Sequence, residues 1–263
     1  MITIHGEISE IQNGFDEIIN HLEAFKLQKD ITVHVKKSEK DVFVTCDRTE
    51  AVIEYNKPIH FFRALGQMIS GLADSDSFVI EEKEIFQAMG CSPELNLNKF
   101  SMEGHKAWFR YMAVMGLDTY LISIPCAYHV KGYPYFGYMS GAYTSEEIKE
   151  ITAYAQLFGI EVIPCVQLLS HLNRFLQWYA AEDLRDTERT LLVQSEKTYA
   201  FIEACVKTLA ESFASDKIHI GMDEAHMLGL GKFLDRNGYQ NRTEILLNHL
   251  NKVCKMADRY GFK

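Results

Sequence analysis

The alternation of apolar and polar side chains changes texture near residue 88. Before that point, Ile2 to Ile8 alternates with the period of a half-buried strand. Phe15, Ile18, Ile19, Leu22 and Phe25 recur at helical spacing. Ile31-Thr32-Val33-His34-Val35 and Val42-Phe43-Val44-Thr45-Cys46 read as a strand pair. Pro58 opens a helix to about Leu72 with Phe61, Phe62, Leu65, Met68 and Ile69 facing inward, and Phe78-Val79-Ile80 closes the segment. The pattern predicts a small α+β domain over residues 1–88, with nothing in it arranged like a catalytic site.

From residue 89 onward, strand and helix alternate. A helix over 99–115 stops at Gly116, and Thr119-Tyr120-Leu121-Ile122-Ser123-Ile124 follows as a strand. Thr144-Ser145-Glu146-Glu147 is a capping box opening a helix that ends at Gly159. A strand over 160–166, a helix from about Ser195 to Phe213, a strand over 217–222 and a helix from Asn241 to Tyr260 complete the run. Repeated β-α units make a parallel sheet. With a weak first strand around Ile85 to Cys91 there are four such units, half of the eight that close a barrel. Either the sheet stays open, or another chain completes it, or the chain is half of a larger protein; the last is the reading taken, so the expected fold class is α/β of the (β/α)8 TIM-barrel type, with residues 89–263 as the first half of the barrel in a truncated chain.

The sharpest chemical signal ends the fourth strand. His219-Ile220-Gly221-Met222-Asp223-Glu224-Ala225-His226 places two adjacent carboxylates where a Lys217–Met222 buried strand gives way to a turn. Strand carboxyl ends line the ligand crevice of α/β folds, and a carboxylate pair there can divide labour, one ionised and one holding a proton. The plainer alternative is a helix N-terminus that favours acidic side chains. A metal site of His219, Asp223, Glu224 and His226 has suitable ligand types, but a strand spreads them over two faces. The expectation is no metal and no cofactor.

Composition narrows the partners. A net charge of -9 disfavours nucleic acid, whose phosphates need a basic face. No leader-like N-terminus is visible, and the most apolar stretch, Met112 to Ala127, is too short to span a bilayer. Six scattered cysteines without a CxxC pair fit buried free thiols in a reducing cytoplasm, the localisation expected here.

Three stretches carry a resemblance to a known family: His219 to His226, Pro134-Tyr135-Phe136-Gly137-Tyr138-Met139, and Phe158-Gly159-Ile160-Glu161-Val162-Ile163-Pro164-Cys165. Residues 89–263 resemble the first half of the catalytic barrel of glycoside hydrolase family 20, the β-N-acetylhexosaminidases, nearest their bacterial N-acetyl-β-D-glucosaminidase branch. Residues 1–88 are similar to the small domain preceding it. The resemblance implies a retaining exo-glycosidase acting on terminal β-linked N-acetylhexosamine in an oligosaccharide or glycoconjugate. Its nucleophile is the substrate's own acetamide carbonyl, which gives an oxazolinium intermediate. It implies Glu224 as general acid and then base, with a pKa high enough to hold a proton near neutrality, and Asp223 as the group orienting the acetamide. His171, spaced from Pro164 as in the family, supports the acid site. His226 and Tyr135 are further candidates for support or sugar contact, and Tyr128, Tyr133, Tyr138 and Tyr143 share the loop with Tyr135. His219 reads as core or as a residue behind the site. Family relatives are often dimers, so a homodimer stays open.

The departures weigh against easy turnover. Pro93 stands where the family has a sugar-gripping arginine, Ile124-Pro125-Cys126-Ala127 replaces an acidic pair, and Ser140 and Ala142 replace two arginines of close relatives. The alternative function is a diverged or truncated member that binds sugar or a partner without turning it over.

Overall fold

The computed structural model describes residues 1–95 and 99–263. Contacts divide the chain into two compact units. The first comprises residues 1–91, 101–120 and 153–161, the second residues 92–100, 121–152 and 162–263.

The first unit is built on strands β1 (Ile2–Gly6), β2 (Ile31–Lys37), β3 (Val42–Asp47), β4 (Glu50–Tyr55) and β5 (Ser77–Glu82), in the order β1-β2-β4-β3-β5. β1 and β4 flank β2 in parallel, and β3 runs antiparallel to both β4 and β5. The expected pairing of Ile31–Val35 with Val42–Cys46 is therefore corrected: β4 lies between them. Its alternation of Ala51, Ile53 and Tyr55 inward with Glu50, Val52 and Glu54 outward is a strand period. A tight turn at Arg48, φ 59°, folds β4 directly onto β3, so β4 takes the place beside it that β2 would need.

Helix α1 (Gln12–His21) stops short of the predicted end, because Leu22 is extended and a 3-10 turn at Glu23–Phe25 follows. Helix α2 (Pro58–Asp74) begins at its proline and buries Ile59, Phe61, Phe62, Ala64, Leu65 and Met68. Helix α3 (Met102–Met115) is capped by the Ser101 hydroxyl and ended by Gly116 at φ 77°. The core is a run of rings in largely edge-to-face contact: Tyr55 to Phe61 at 5.8 Å, Phe61 to Phe62 at 5.2 Å, Phe62 to Phe158 at 5.2 Å and Phe158 to Tyr154 at 5.6 Å.

The barrel-type sheet holds β6 (Gly90–Cys91), β7 (Thr119–Ser123) and β8 (Glu161–Cys165), β6 and β7 parallel. Helix α4 (Ser145–Gln156) opens with the predicted box: Glu147 N–H donates to Thr144 Oγ1 at 3.1 Å and Thr144 N–H to Glu147 Oε2 at 2.8 Å. In the second unit follow α5 (Asn173–Leu176), α6 (Glu196–Ser212), α7 (Lys232–Asn237) and α8 (Arg242–Arg259), the last capped by Asn241.

The predicted fourth strand is reduced to a parallel bridge, Cys165 to His219, with hydrogen bonds from Val166 N–H to His219 O and Leu168 N–H to Ile220 O. Among the described residues it is paired on the β8 side alone. Its side chains are accordingly exposed or half-buried up to Met222, not buried as expected. The six cysteines are free thiols, and Cys254 is exposed where buried positions were expected. Among the described residues no helix is long and apolar enough to cross a membrane.

Phe62→Ala removes the ring joining Phe61 to Phe158 and is expected to cost about 3–5 kcal/mol of stability. Urea unfolding followed by circular dichroism checks this, and a loss under 1 kcal/mol would place the core elsewhere.

Candidate active site

In the second unit the chain beyond β8 runs Val166-Gln167-Leu168 and reaches His171 before α5. Leu168 is anchored because its carbonyl lies 3.0 Å from Nε2 of His249, a buried imidazole whose Nδ1 meets the Tyr199 hydroxyl at 3.3 Å. Burial holds the pKa of His249 below its ordinary value, so it stays neutral and donates to that carbonyl.

Gln167 then closes on the carboxylate motif. Its Nε2 donates to Asp223 Oδ1 at 2.7 Å and its Oε1 accepts the Met222 N–H at 3.2 Å. This clamp grips a bend in which Gly221, Met222 and Glu224 all have positive φ, at 68°, 86° and 48°. Gly221 is required there. A Cβ would lie 2.3 Å from Gln167 Oε1 and 2.6 Å from the Val166 carbonyl, on a backbone that disfavours side chains.

The bend answers the geometric demand of adjacent acids. On a straight strand Asp223 and Glu224 would face opposite ways. Here both carboxylates approach one atom, His171 Nε2, with Asp223 Oδ2 at 3.2 Å and Glu224 Oε2 at 3.6 Å. His171 is itself left-handed, φ 56°. Its Nδ1 lies 2.7 Å from Arg189 Nη2. A guanidinium can only donate, so Nδ1 accepts and the ring proton sits on Nε2, facing the carboxylates. Residues such as Met222, Glu224 and His171 in this conformation cost roughly 1–3 kcal/mol each and persist where their surroundings over-determine them.

Hydrogen bonding sets the charge of Asp223. The Gln167 hydrogen bond, above all, holds the Asp223 carboxyl below its ordinary pKa; burial opposes this, and the Asp223 backbone N–H and His171 assist. Asp223 is therefore ionised at neutral pH. Glu224 is 62% exposed along its side chain.

Beside Asp223 opens a polar cavity of about 300 Å³ lined by Glu94, Ser123, Pro125, Cys126, Cys165, Gln167, His171, Asn173 and Arg174, among others. Burial pushes the Cys126 thiol up to about 12 and raises that of Cys165, so neither is a thiolate nucleophile at neutral pH. Gln167, Arg189, Arg174 and Glu94 are cavity or clamp residues that sequence reasoning missed. Only a hydrogen bond to a residue 56 positions along the chain singles out Gln167.

The remaining candidates sit apart. His226 is exposed in the turn, and its backbone carbonyl, not its ring, is engaged, accepting Arg242 Nη1 at 2.7 Å. Tyr135 lies outside the cavity lining, in an exposed cluster with Tyr138 at 5.6 Å and Trp178 at 5.8 Å. Tyr128 and Tyr143 are buried, and Tyr133 packs on Phe201 at 4.9 Å, so these three pack the loop and do not face a sugar. Of the two readings of His219, the core one is corrected, because the residue is exposed; its Nδ1 faces Cys165 Sγ and accepts the Gly221 N–H, each at 3.3 Å. Ser140 is buried at 5% exposure.

Comparison with known proteins follows this geometry. The family model described as the catalytic domain of glycosyl hydrolase family 20 matches residues 126–260. Hexosaminidase D of Bos taurus is 32% identical over 142 residues, 49% of this chain and 41% of the bovine protein. Beta-hexosaminidase of Vibrio furnissii is 33% identical over 96 residues, 32% of this chain and 16% of that protein. The chain thus spans well under two thirds of the curated relatives it matches. In fold it superposes on the family 20 exo-β-N-acetylglucosaminidase of Vibrio harveyi, solved with N-acetylglucosamine, at a TM-score of 0.81 and 16% identity, covering 100% of this chain and 50% of that one. The family 20 β-N-acetylhexosaminidase of Streptomyces coelicolor A3(2) gives 0.79 at 17% identity, covering 99% and 60%.

Replacing Gln167 by Ala removes the largest influence lowering the Asp223 pKa, so that midpoint is expected to rise. Carbon-13 NMR of the Asp223 carboxyl against pH measures it. A lowered folded pKa stabilises the fold above the unfolded-state value, an effect lost as pH falls through the folded pKa. Gln167→Ala should shrink that pH-dependent contribution, and an unmoved midpoint would show the clamp to be irrelevant.

Proposed function

The chain belongs to glycosyl hydrolase family 20, and from that premise we propose that it contributes the acid and the acetamide-orienting carboxylate of a retaining exo-β-N-acetylhexosaminidase. The observation that carries this reading is the convergence of Asp223 and Glu224 on His171 Nε2.

In the proposed reaction the acetamide carbonyl oxygen of the terminal sugar attacks the anomeric carbon as Glu224 protonates the departing glycosidic oxygen. The C1–O bond breaks with its electron pair leaving on the protonated aglycone, and a cyclic oxazolinium remains. Asp223, held ionised by Gln167, accepts the acetamide N–H, which turns the carbonyl toward C1 and offsets the positive charge spreading over the ring. Glu224, now ionised, takes a proton from water as it opens the ring at C1. Two inversions leave the β configuration intact. His171, its tautomer selected by Arg189, donates from Nε2 toward the two acids and keeps them apart from each other's charge.

The grip on the sugar differs from the family pattern. Pro93 offers no donor, whereas Arg174 and Asn173 line the cavity from α5 and Glu94 from the segment after β6. We assign Arg174 and Glu94 the hydroxyl contacts that the missing arginine would make. The exposure of Glu224 favours a second reading, a sugar-binding member without turnover, because its side chain stands open to water where a closed active site would exclude it.

A chromogenic β-N-acetylglucosaminide separates the two. The enzyme reading expects turnover that Glu224→Gln lowers roughly 10²–10⁴-fold, β-anomeric product seen first by proton NMR, and no hydrolysis of the matching 2-hydroxy glucoside. Sugar binding without turnover supports the second reading, and undiminished turnover in Glu224→Gln overturns the first.

Arg174→Ala is expected to lower kcat/KM roughly tenfold or more, mainly through KM, as the loss of a charged hydrogen bond of about 1.5–3 kcal/mol implies. Steady-state kinetics on the same substrate checks this, and an unchanged KM would remove Arg174 from the sugar site.

A further inference from the structure

The first unit, which carries no recognisable chemistry along the sequence, brings three ligand-type side chains together outside the matched residues 126–260. Asp41 precedes β3, His60 sits in the first turn of α2, and Glu84 follows β5. One ligand atom from each lies within 4.8 Å of the other two.

Each partial observation points to a cation. His60 is only 6% exposed, and its Nδ1 is buried without a hydrogen-bond partner, an arrangement buried polar atoms rarely keep unless something unrecorded satisfies them. Asp41 Oδ1 stands 3.8 Å from that Nδ1, too long for a hydrogen bond and close to the roughly 3.3–3.6 Å that separates two donors each about 2.0–2.2 Å from a tetrahedral ion. Glu84 Oε2 stands 3.7 Å from the other ring nitrogen, Nε2, and joins an ion on Nδ1 by a side-chain turn. The two loops are already tied, because Asp41 Oδ2 accepts the Glu84 backbone N–H at 2.9 Å.

The charges around the cluster agree. Asp118 is committed elsewhere, accepting the Met89 N–H and the Thr119 hydroxyl, each at 2.8 Å. Lys57 Nζ pairs with Glu84 at 2.6 and 2.9 Å and neutralises one carboxylate, leaving Asp41 to a second positive charge. The cluster opens onto a cavity of about 180 Å³ lined in part by Val42, Ile59, Ile85 and Met89, which gives an ion an entry path and room for water.

The geometry points to a divalent transition-metal site formed by His60, Asp41 and Glu84. Zinc is the ion best matched to one imidazole, two carboxylates and a water in tetrahedral array. On binding, Glu84 turns from Lys57 toward the ion.

Equilibrium dialysis of the full chain against Zn²⁺, with metal content read by mass spectrometry, is expected to give one tightly held zinc per chain and a raised melting temperature. X-ray absorption should show nitrogen and oxygen ligands, including one imidazole, without sulfur. His60→Gln and Glu84→Gln should each weaken binding at least tenfold, whereas Glu224→Gln leaves zinc affinity unchanged. Glu84→Gln, at a partly exposed position outside the strands, serves as the variant whose circular dichroism must match the parent. No stoichiometric uptake, sulfur in the coordination shell, or full affinity in both variants would overturn the assignment.

Discussion

The site depends on one constraint: residues 221–224 must leave the strand in a left-handed bend, and Gln167 must hold them there. Consecutive strand residues point to opposite faces, so a motif with neighbouring acids serves a single centre only if the backbone departs from strand geometry between them. Positive φ at Gly221, Met222 and Glu224 supplies that departure. The two hydrogen bonds of the Gln167 amide, one to backbone and one to carboxylate, join the bend to the neighbouring strand end. His249 beneath Leu168, Arg189 behind His171 and the missing Cβ at Gly221 all serve this geometry.

From the clamp follows a division of character between chemically similar groups. Asp223 receives hydrogen bonds that stabilise its charge, whereas Glu224 approaches the His171 ring edge at 3.6 Å. Arg189 occupies His171 Nδ1 and so turns the Nε2 edge of the ring toward the acids. The polar cavity alongside carries Arg174 and Asn173 from the first turn of α5, so its cation comes from a different part of the chain than Pro93.

Most elements were legible from periodicity and end signals. Thr144 with Glu147, Asn241 before α8, Pro58 at the start of α2 and Gly116 at the end of α3 act as local chemistry says they should. The failures were non-local. Val42–Cys46 reads as a strand in isolation, but nothing within it says that β4 will pair on one side and β5 on the other. Lys217–Met222 has a strand's apolar content, yet a strand paired on one edge buries only part of it, and His219 stays in contact with solvent. Tyr128 and Tyr143 look like their neighbours Tyr135 and Tyr138 along the chain, and only packing separates buried rings from exposed ones.

The amino-acid sequence by itself determined the longer helices, several of their caps, the β-α alternation and the Asp223-Glu224 motif, because each is written in residues a few positions apart or in a contiguous pattern, while His171 entered through the family resemblance. The tertiary structure alone decided that Asp223 and Glu224 converge, that Gln167 and Arg189 hold them, that Arg174 faces the cavity, and that Asp41, His60 and Glu84 meet. Each of these turns on backbone torsions at particular residues and on contacts between distant segments, whose register no local period encodes.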